Sequence, residues 1–300
     1  MIVSASYRTD IPAFYGEWFR ERLRAGHCMV ANPYGSRPYR VALTADAVDG
    51  FVFWTRNVAP FLPALEEVTA RRLPFIVQYT ATGYPREWER ATLPADAAIA
   101  QMRALATAYG QRAVVWRYDP ILFADGMGAD CMDADWHRAT FRRMAQALAG
   151  AVDEAVVSIL APYRKTMRNL DRAAQHRGLA WRVPEPEESA LLLGDLAQIA
   201  RESGMRLTLC AQPDRLTEDV APAACIDARR LSDVAGRDIM ARVKGNRPGC
   251  LCAESRDIGA YDTCPHGCAY CYAVADHDKA RATHRAHDPD AESLSPAVTS

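Results

Sequence analysis

The 300-residue chain has no surplus charge of either sign: 36 Lys and Arg stand against 37 Asp and Glu, for a formal net charge of -1. That balance gives no electrostatic footing for nonspecific binding to nucleic acid or an anionic membrane, and leaves only a local basic groove open. Long apolar runs are missing too. No stretch reaches the roughly 18 residues of a membrane-crossing helix. The start, Met1 to Ser6, is apolar but soon meets Arg8 and Asp10, unlike a secretory leader. The expectation is a cytoplasmic protein with no membrane contact. No internal repeat is visible. With 49% hydrophobic and 24% charged residues, the rest of the composition is that of an ordinary globular chain, long enough for one α/β barrel.

What the chain does have is cysteine in the wrong places for a cytoplasmic core. Of nine cysteines, five fall between Cys250 and Cys271. In a reducing compartment such crowding points to metal or redox chemistry rather than disulfides. Cys264, Cys268 and Cys271 have the spacing C-x3-C-x2-C, with aromatic Tyr270 before the last. Three thiolates can hold three corners of a [4Fe-4S] cubane and leave the fourth iron open to a small molecule. Gly267 lets the loop turn tightly beside such a cluster. The competing metal is zinc, bound by four thiolates or by three with His266. His266 otherwise reads as a solvated polar residue. Cys210, Cys225, Cys250 and Cys252 would make a second, four-cysteine set suited to electron transfer; the plainer reading has Cys210 as a buried strand residue and Cys225 as a loop thiol. Cys28 and Cys131 read as structural.

β-branched runs alternate with amphipathic stretches. Strands are expected at Ile2–Ser6, Phe51–Trp54, Phe75–Tyr79, Ala113–Tyr118, Ala155–Ile159 and Leu207–Cys210. Asp10 is a natural helix N-cap with Pro12 in the first turn. Residues 29–48 read as a loop with a short strand near Val41, and Tyr163 to His176 as a helix. Six strand–helix units imply an α/β fold, a TIM-like (β/α) barrel, closed or partial, over residues 1–243. A Cys-rich loop, 244–276, would pack over the strand C-terminal ends, and 277–300 would be a polar, mobile tail.

Barrels place function at those strand ends. The residues found there are Arg8, Asp10, Arg56, Tyr79, Arg117, Asp119 and Lys165. Arg8, Arg56 and Arg117 can clamp a carboxylate or phosphate in bidentate fashion; the bland alternative is an ion-pair network with Asp10 and Asp119. Lys165 suits acid–base or phosphate contact, and Tyr7, Tyr79 and Tyr118 are alternatives for a hydrogen relay. Asp257 is expected to pair with a barrel arginine.

The loop Gly267-Cys268-Ala269-Tyr270-Cys271-Tyr272 resembles that of radical S-adenosylmethionine enzymes, in the form seen in spore photoproduct lyase and its relatives. The resemblance implies a [4Fe-4S] cluster on Cys264, Cys268 and Cys271, S-adenosylmethionine on the open iron, and Tyr270 near the adenine. It is a permuted likeness, because those enzymes carry the loop after their first strand, and no glycine-rich segment for the methionine amino group is found. The whole chain resembles the bacterial family catalogued as domain of unknown function 1848. The matching pieces are Tyr7-Arg8-Thr9-Asp10-Ile11-Pro12, Trp54-Thr55-Arg56-Asn57, Arg117-Tyr118-Asp119-Pro120, Cys225-Ile226-Asp227 and Cys250 to Ala273. The leading expectation is an iron-sulfur enzyme with a small polar or anionic substrate and a ferredoxin or reductase as electron donor. The competing ones are a DNA-repair lyase and a non-catalytic iron-sulfur or zinc redox sensor.

Overall fold

The computed structural model describes residues 1–32, 37–125, 131–175 and 178–294. The chain opens with β1 (Ile2–Ala5), α1 (Ile11–Phe14), α2 (Gly16–Ala25), β2 (His27–Val30), β3 (Tyr39–Ala42) and β4 (Gly50–Thr55). Then come α3 (Leu62–Ala70), β5 (Phe75–Thr80), α4 (Ala95–Tyr109), β6 (Val114–Ile121), β7 (Phe123–Asp125) and α5 (Ala134–Leu148). The second half holds β8 (Glu154–Ile159), α6 (Arg164–Gln175), β9 (Ala180–Arg182), α7 (Pro186–Glu202) and β10 (Arg206–Leu209). It closes with β11 (Ala221–Pro222), α8 (Ala228–Ala235), β12 (Ser255–Asp257) and α9 (His277–Arg285).

Eight strands form one parallel sheet in the order β11-β10-β8-β6-β5-β4-β1-β12. Neighbours in the sheet are neighbours in the chain, except that the last strand, β12, lies beside the first. Helical crossovers make this arrangement possible, since parallel strands cannot be joined by tight turns. Among the described residues β11 and β12 are the sheet's two ends and do not pair with each other.

Strand residues alternate between two buried faces. Val3, Phe51, Phe53, Val77, Trp116, Val157 and Leu207 pack under the helices. Ile2, Val52, Ile76, Val115 and Val156 pack on the other face with Ile226 and Leu231. Burial on both sides explains the near-continuous apolar runs of these strands. Two residues further along the second face, the side chains become polar: Ser4, Trp54, Gln78, Arg117 and Ser158. That change of character, toward the strand C-terminal ends, is where the site is built.

Three expectations are corrected. The sheet has two strands more than the six expected, because β11 and β12 span only two and three residues and carry no readable periodicity. The short strand expected near Val41 is β3, but its antiparallel partner β2 (His27–Val30) was not expected; 33–36 lie outside the described residues. The tail is not loose: α9 is capped by Asp276, and Trp18 Nε1 and Arg22 donate to the carbonyls of Ala291 and Asp290. Leu294 is buried in the main core, while 295–300, like His176, lie outside the described residues.

Candidate metal centre

The cysteine loop is stitched to the segment after β5. Ala269 N–H donates to Trp88 O, Ala91 N–H donates to His266 O, and Glu89 pairs with Cys268 as an antiparallel bridge. From the other side α6 holds it, with Asn169 Nδ2 donating to Val274 O at 2.9 Å. The base is closed by Asp262 N–H donating to Ala273 O. Gly267 has φ +74°, and a Cβ there would stand 3.2 Å from Arg90 Cβ, so the turn favours glycine. Cys268, Ala269 and Tyr270 are buried in a core of their own with Trp88, Leu122 and Leu170.

The loop meets two strand ends. His266 Nε2 donates to Asp10 Oδ2 at 2.7 Å, beyond β1. Asp10 also caps α1 through Ala13 N–H and accepts from Arg56 N–H, so one carboxylate ties loop, helix and the end of β4 together. Arg56 is nearly buried; its guanidinium donates to Glu89 Oε1 at 2.9 Å and to the Tyr270 hydroxyl, which itself donates to Glu89. Thr82 and Thr92 complete the carboxylate's partners. Tyr79 is fully buried and its hydroxyl donates to Gln101 and to Arg56 O, which makes it a brace behind Arg56.

Burial pushes the Cys264 and Cys271 thiols up, and pushes Cys268 up to about 12 against the pull of the Arg56 charge. Cys268 and, partly buried, Cys271 pack in the same apolar cluster. Cys264 Sγ accepts the N–H of His266, and Cys271 Sγ accepts those of Ala273 and Val274. Amide donors aimed at sulfur are what stabilises cluster thiolates. Among the described residues no group of three or more His, Cys, Asp or Glu closes on a single ion position.

Arg8 lies apart, as the buried partner of Asp257. Its Nε donates to Oδ1 at 2.8 Å, and Ser4, Ser6 and Tyr7 N–H satisfy the remaining lone pairs of the carboxylate. Lys165, in the first turn of α6, and Arg8 flank the Tyr261 ring at 5.4 and 5.6 Å. Tyr272 donates to Tyr7 O, and Tyr7 stands edge-on to Trp54.

Arg117 stacks over Trp54 at 4.9 Å, is paired with Asp119 at 2.8 Å, and donates to Cys225 Sγ at 2.9 Å. Cys225 and Cys210 have their sulfurs 3.5 Å apart. Cys252 and, partly buried, Cys250 pack in the same apolar cluster as these two. The hydrogen bond from Cys252 draws Cys250 down to about 6. Ser158 donates to Asp119, whose pKa falls because Arg117, Ser158 and Arg247 outweigh its burial.

Arg56, Asp10, Tyr270, Gly267 and the cysteine trio thus gather at one place, and Arg117 and Asp119 at the second thiol group. Three of the functional arrangements went unread in the sequence. Glu89 carries no motif. Arg247 sits in a glycine-rich loop. His266, expected in solvent, is buried against Asp10.

Sheet and site together define an α/β protein on a parallel sheet, with a cysteine-rich loop seated across its strand ends. The chain belongs to the family described as "Domain of unknown function (DUF1848)", whose model matches residues 2–273. No curated protein matches the sequence. Among solved structures, a D-hydantoinase is 10% identical with a TM-score of 0.29, covering 70% of this chain and 41% of its own. A "putative alpha-L-fucosidase" from Bacteroides thetaiotaomicron VPI-5482 is 10% identical with a TM-score of 0.26, covering 87% of this chain and 93% of its own. Likenesses this low do not bear on fold or function.

Proposed function

We propose that this protein is an iron-sulfur enzyme of the radical S-adenosylmethionine type, acting on a small polar or anionic substrate. One observation carries the reading: the loop that bears Cys264, Cys268 and Cys271 is tied to the ends of β1 and β4, by His266 to Asp10 and by Tyr270 to Arg56. Cys264, Cys268 and Cys271 would hold a [4Fe-4S] cluster, which with S-adenosylmethionine supplies one-electron reduction and hydrogen-atom abstraction. The strand order matches an eight-stranded barrel with one open seam between β11 and β12, so we read the sheet as a closed or partial TIM-like barrel.

The chain's own groups prepare the site. Arg56, fixed by Glu89 and Tyr270, balances thiolate charge beside Cys268. The core around Cys268 and Tyr270 keeps water from that side of the loop. Lys165 and Arg247 supply positive charge for an anionic substrate, and the tyrosines Tyr7, Tyr163, Tyr261 and Tyr272 give it walls. A ferredoxin or reductase is the electron donor, and the free thiols suit a cytoplasmic setting.

Anaerobically purified protein given dithionite and S-adenosylmethionine is expected to release 5′-deoxyadenosine, and Cys268→Ala to release none. Cluster-loaded protein that makes no such product, or a colourless zinc protein, overturns the reading.

A further inference from the structure

We propose that the mouth beside the start of α6 binds a small dianion, a phosphate ester or a dicarboxylate, through Lys165 and Arg247. Lys165 lies in the first turn of α6, and Arg247 reaches the residue just before that helix, donating to the Tyr163 hydroxyl at 3.2 Å. Its other arm reaches Cys210 O at 3.5 Å, at the end of β10. The loop that carries Arg247 is seated against the same strand end. Gly249 has φ +74°, and a Cβ there would stand 2.7 Å from Pro213 Cδ, so the close approach needs glycine. Tyrosines surround the two cations. The Tyr163 and Tyr272 rings are 6.3 Å apart and 46% and 43% exposed, and the Tyr272 hydroxyl donates to Tyr7 O. Exposed aromatic side chains gathered at one rim mark a ligand groove. Tyr272 directly follows Cys271, which sets this mouth beside the cysteine loop.

The charges decide the class of ligand. At this rim Arg8 is paired with Asp257 and Arg117 with Asp119, both at 2.8 Å. Among the described residues Lys165 and Arg247 make no ion pair with a carboxylate; their partners are the Tyr261 ring, the Tyr163 hydroxyl and Cys210. Other surface arginines do find a carboxylate, as Arg182 finds Glu188, Arg201 finds Asp219 and Arg242 finds Glu254. A guanidinium held by neutral partners keeps its charge and its remaining donors for an anion, and two such cations match two negative charges. The Tyr163 hydroxyl accepts from Arg247, so its own O–H is left to donate to the same anion. A cationic ligand is excluded twice. It meets unbalanced positive charge, and the rings it would seek are already engaged, Tyr261 by Arg8 and Lys165, and Trp54 by Arg117. This inference rests on the reading of the rim as the substrate mouth and adds what the substrate carries; binding of the anion needs no metal.

The test is isothermal titration calorimetry of the purified chain at low salt, with inorganic phosphate, malonate and choline as probes. Wild type should bind phosphate or malonate at one site and choline at none. Tighter phosphate assigns a phosphate ester, and tighter malonate a dicarboxylate. Lys165→Gln and Arg247→Gln should each weaken the dianion by about tenfold or more, as loss of a charged hydrogen bond does. Lys279→Gln removes an exposed positive charge on α9 and should change binding by less than about twofold. Failure of wild type to bind either dianion, binding of choline instead, or an equal loss in all three variants overturns the proposal. If one variant at the mouth does not fold, the other set against Lys279→Gln decides. A wild type that binds the dianion yet releases no 5′-deoxyadenosine keeps this inference and loses the radical reading; one that releases 5′-deoxyadenosine but binds neither dianion does the reverse.

Discussion

Glu89 governs the charge balance around the C-terminal loop. It is 3% exposed and accepts from Arg56, Tyr270, Thr82 and Thr92. Replacing it strands the Arg56 guanidinium in a buried site, and breaking a buried pair in this way costs about 3–5 kcal/mol. Glu89→Ala is therefore expected to lose at least about 3 kcal/mol in urea unfolding. A loss under about 1 kcal/mol would show that solvent or another group compensates Arg56. In the sequence, Glu89 lies between a strand and a helix and carries no motif. Its role comes from partners apart from it in the chain, above all Arg56 and Tyr270. Asp10 was legible because a cap acts locally, through Ala13. His266 was not, since its burial depends on a carboxylate 256 residues away. Asp257 was expected to pair with a barrel arginine, but that the arginine is Arg8, and that Ser4 and Ser6 complete the carboxylate, gave no sign in the sequence.

At the scale of elements, the strands that could be read were those buried on both faces, such as Phe51-Val52-Phe53 and Phe75-Ile76-Val77. Their continuous apolar character has no other use in a chain this polar. β12 offered nothing comparable. It is three residues long and is held to β1 by the Asp257 network rather than by apolar packing. Gly259, just past it, faces Ser6 so closely that a Cβ would fall 1.9 Å from the serine Oγ. Gly259→Ala is expected to push β12 away from β1 and to cost about 1–3 kcal/mol, as overpacking does. Thermal unfolding measures it, and an unchanged midpoint would mean the β1–β12 join yields freely. The last helix taught the opposite lesson. Polar composition suggested a loose tail, yet the rings of His284 and His287 lie edge-on to Tyr15, and Ala280 is fully buried. A helix that lies on a surface needs few apolar residues when ring edges and backbone carbonyls supply the contacts.

Across the molecule, the arrangement puts chemistry at one rim. The second face of the sheet is apolar at Ile2, Val52 and Ile76, and becomes polar at Ser4, Trp54 and Gln78 in the same strands. The cysteine loop, although it follows all the strands in the chain, reaches this rim because β12 lies beside β1 and delivers Asp257 to Arg8 and His266 to Asp10. The most direct measurement of the central claim is electron paramagnetic resonance of the dithionite-reduced protein, before and after S-adenosylmethionine is added. Three thiolates leave one iron open, so the account predicts that the added molecule changes the signal in wild type. No change is expected once Cys264, Cys268 and Cys271 are all alanine. A wild-type cluster signal that S-adenosylmethionine leaves untouched would contradict the account.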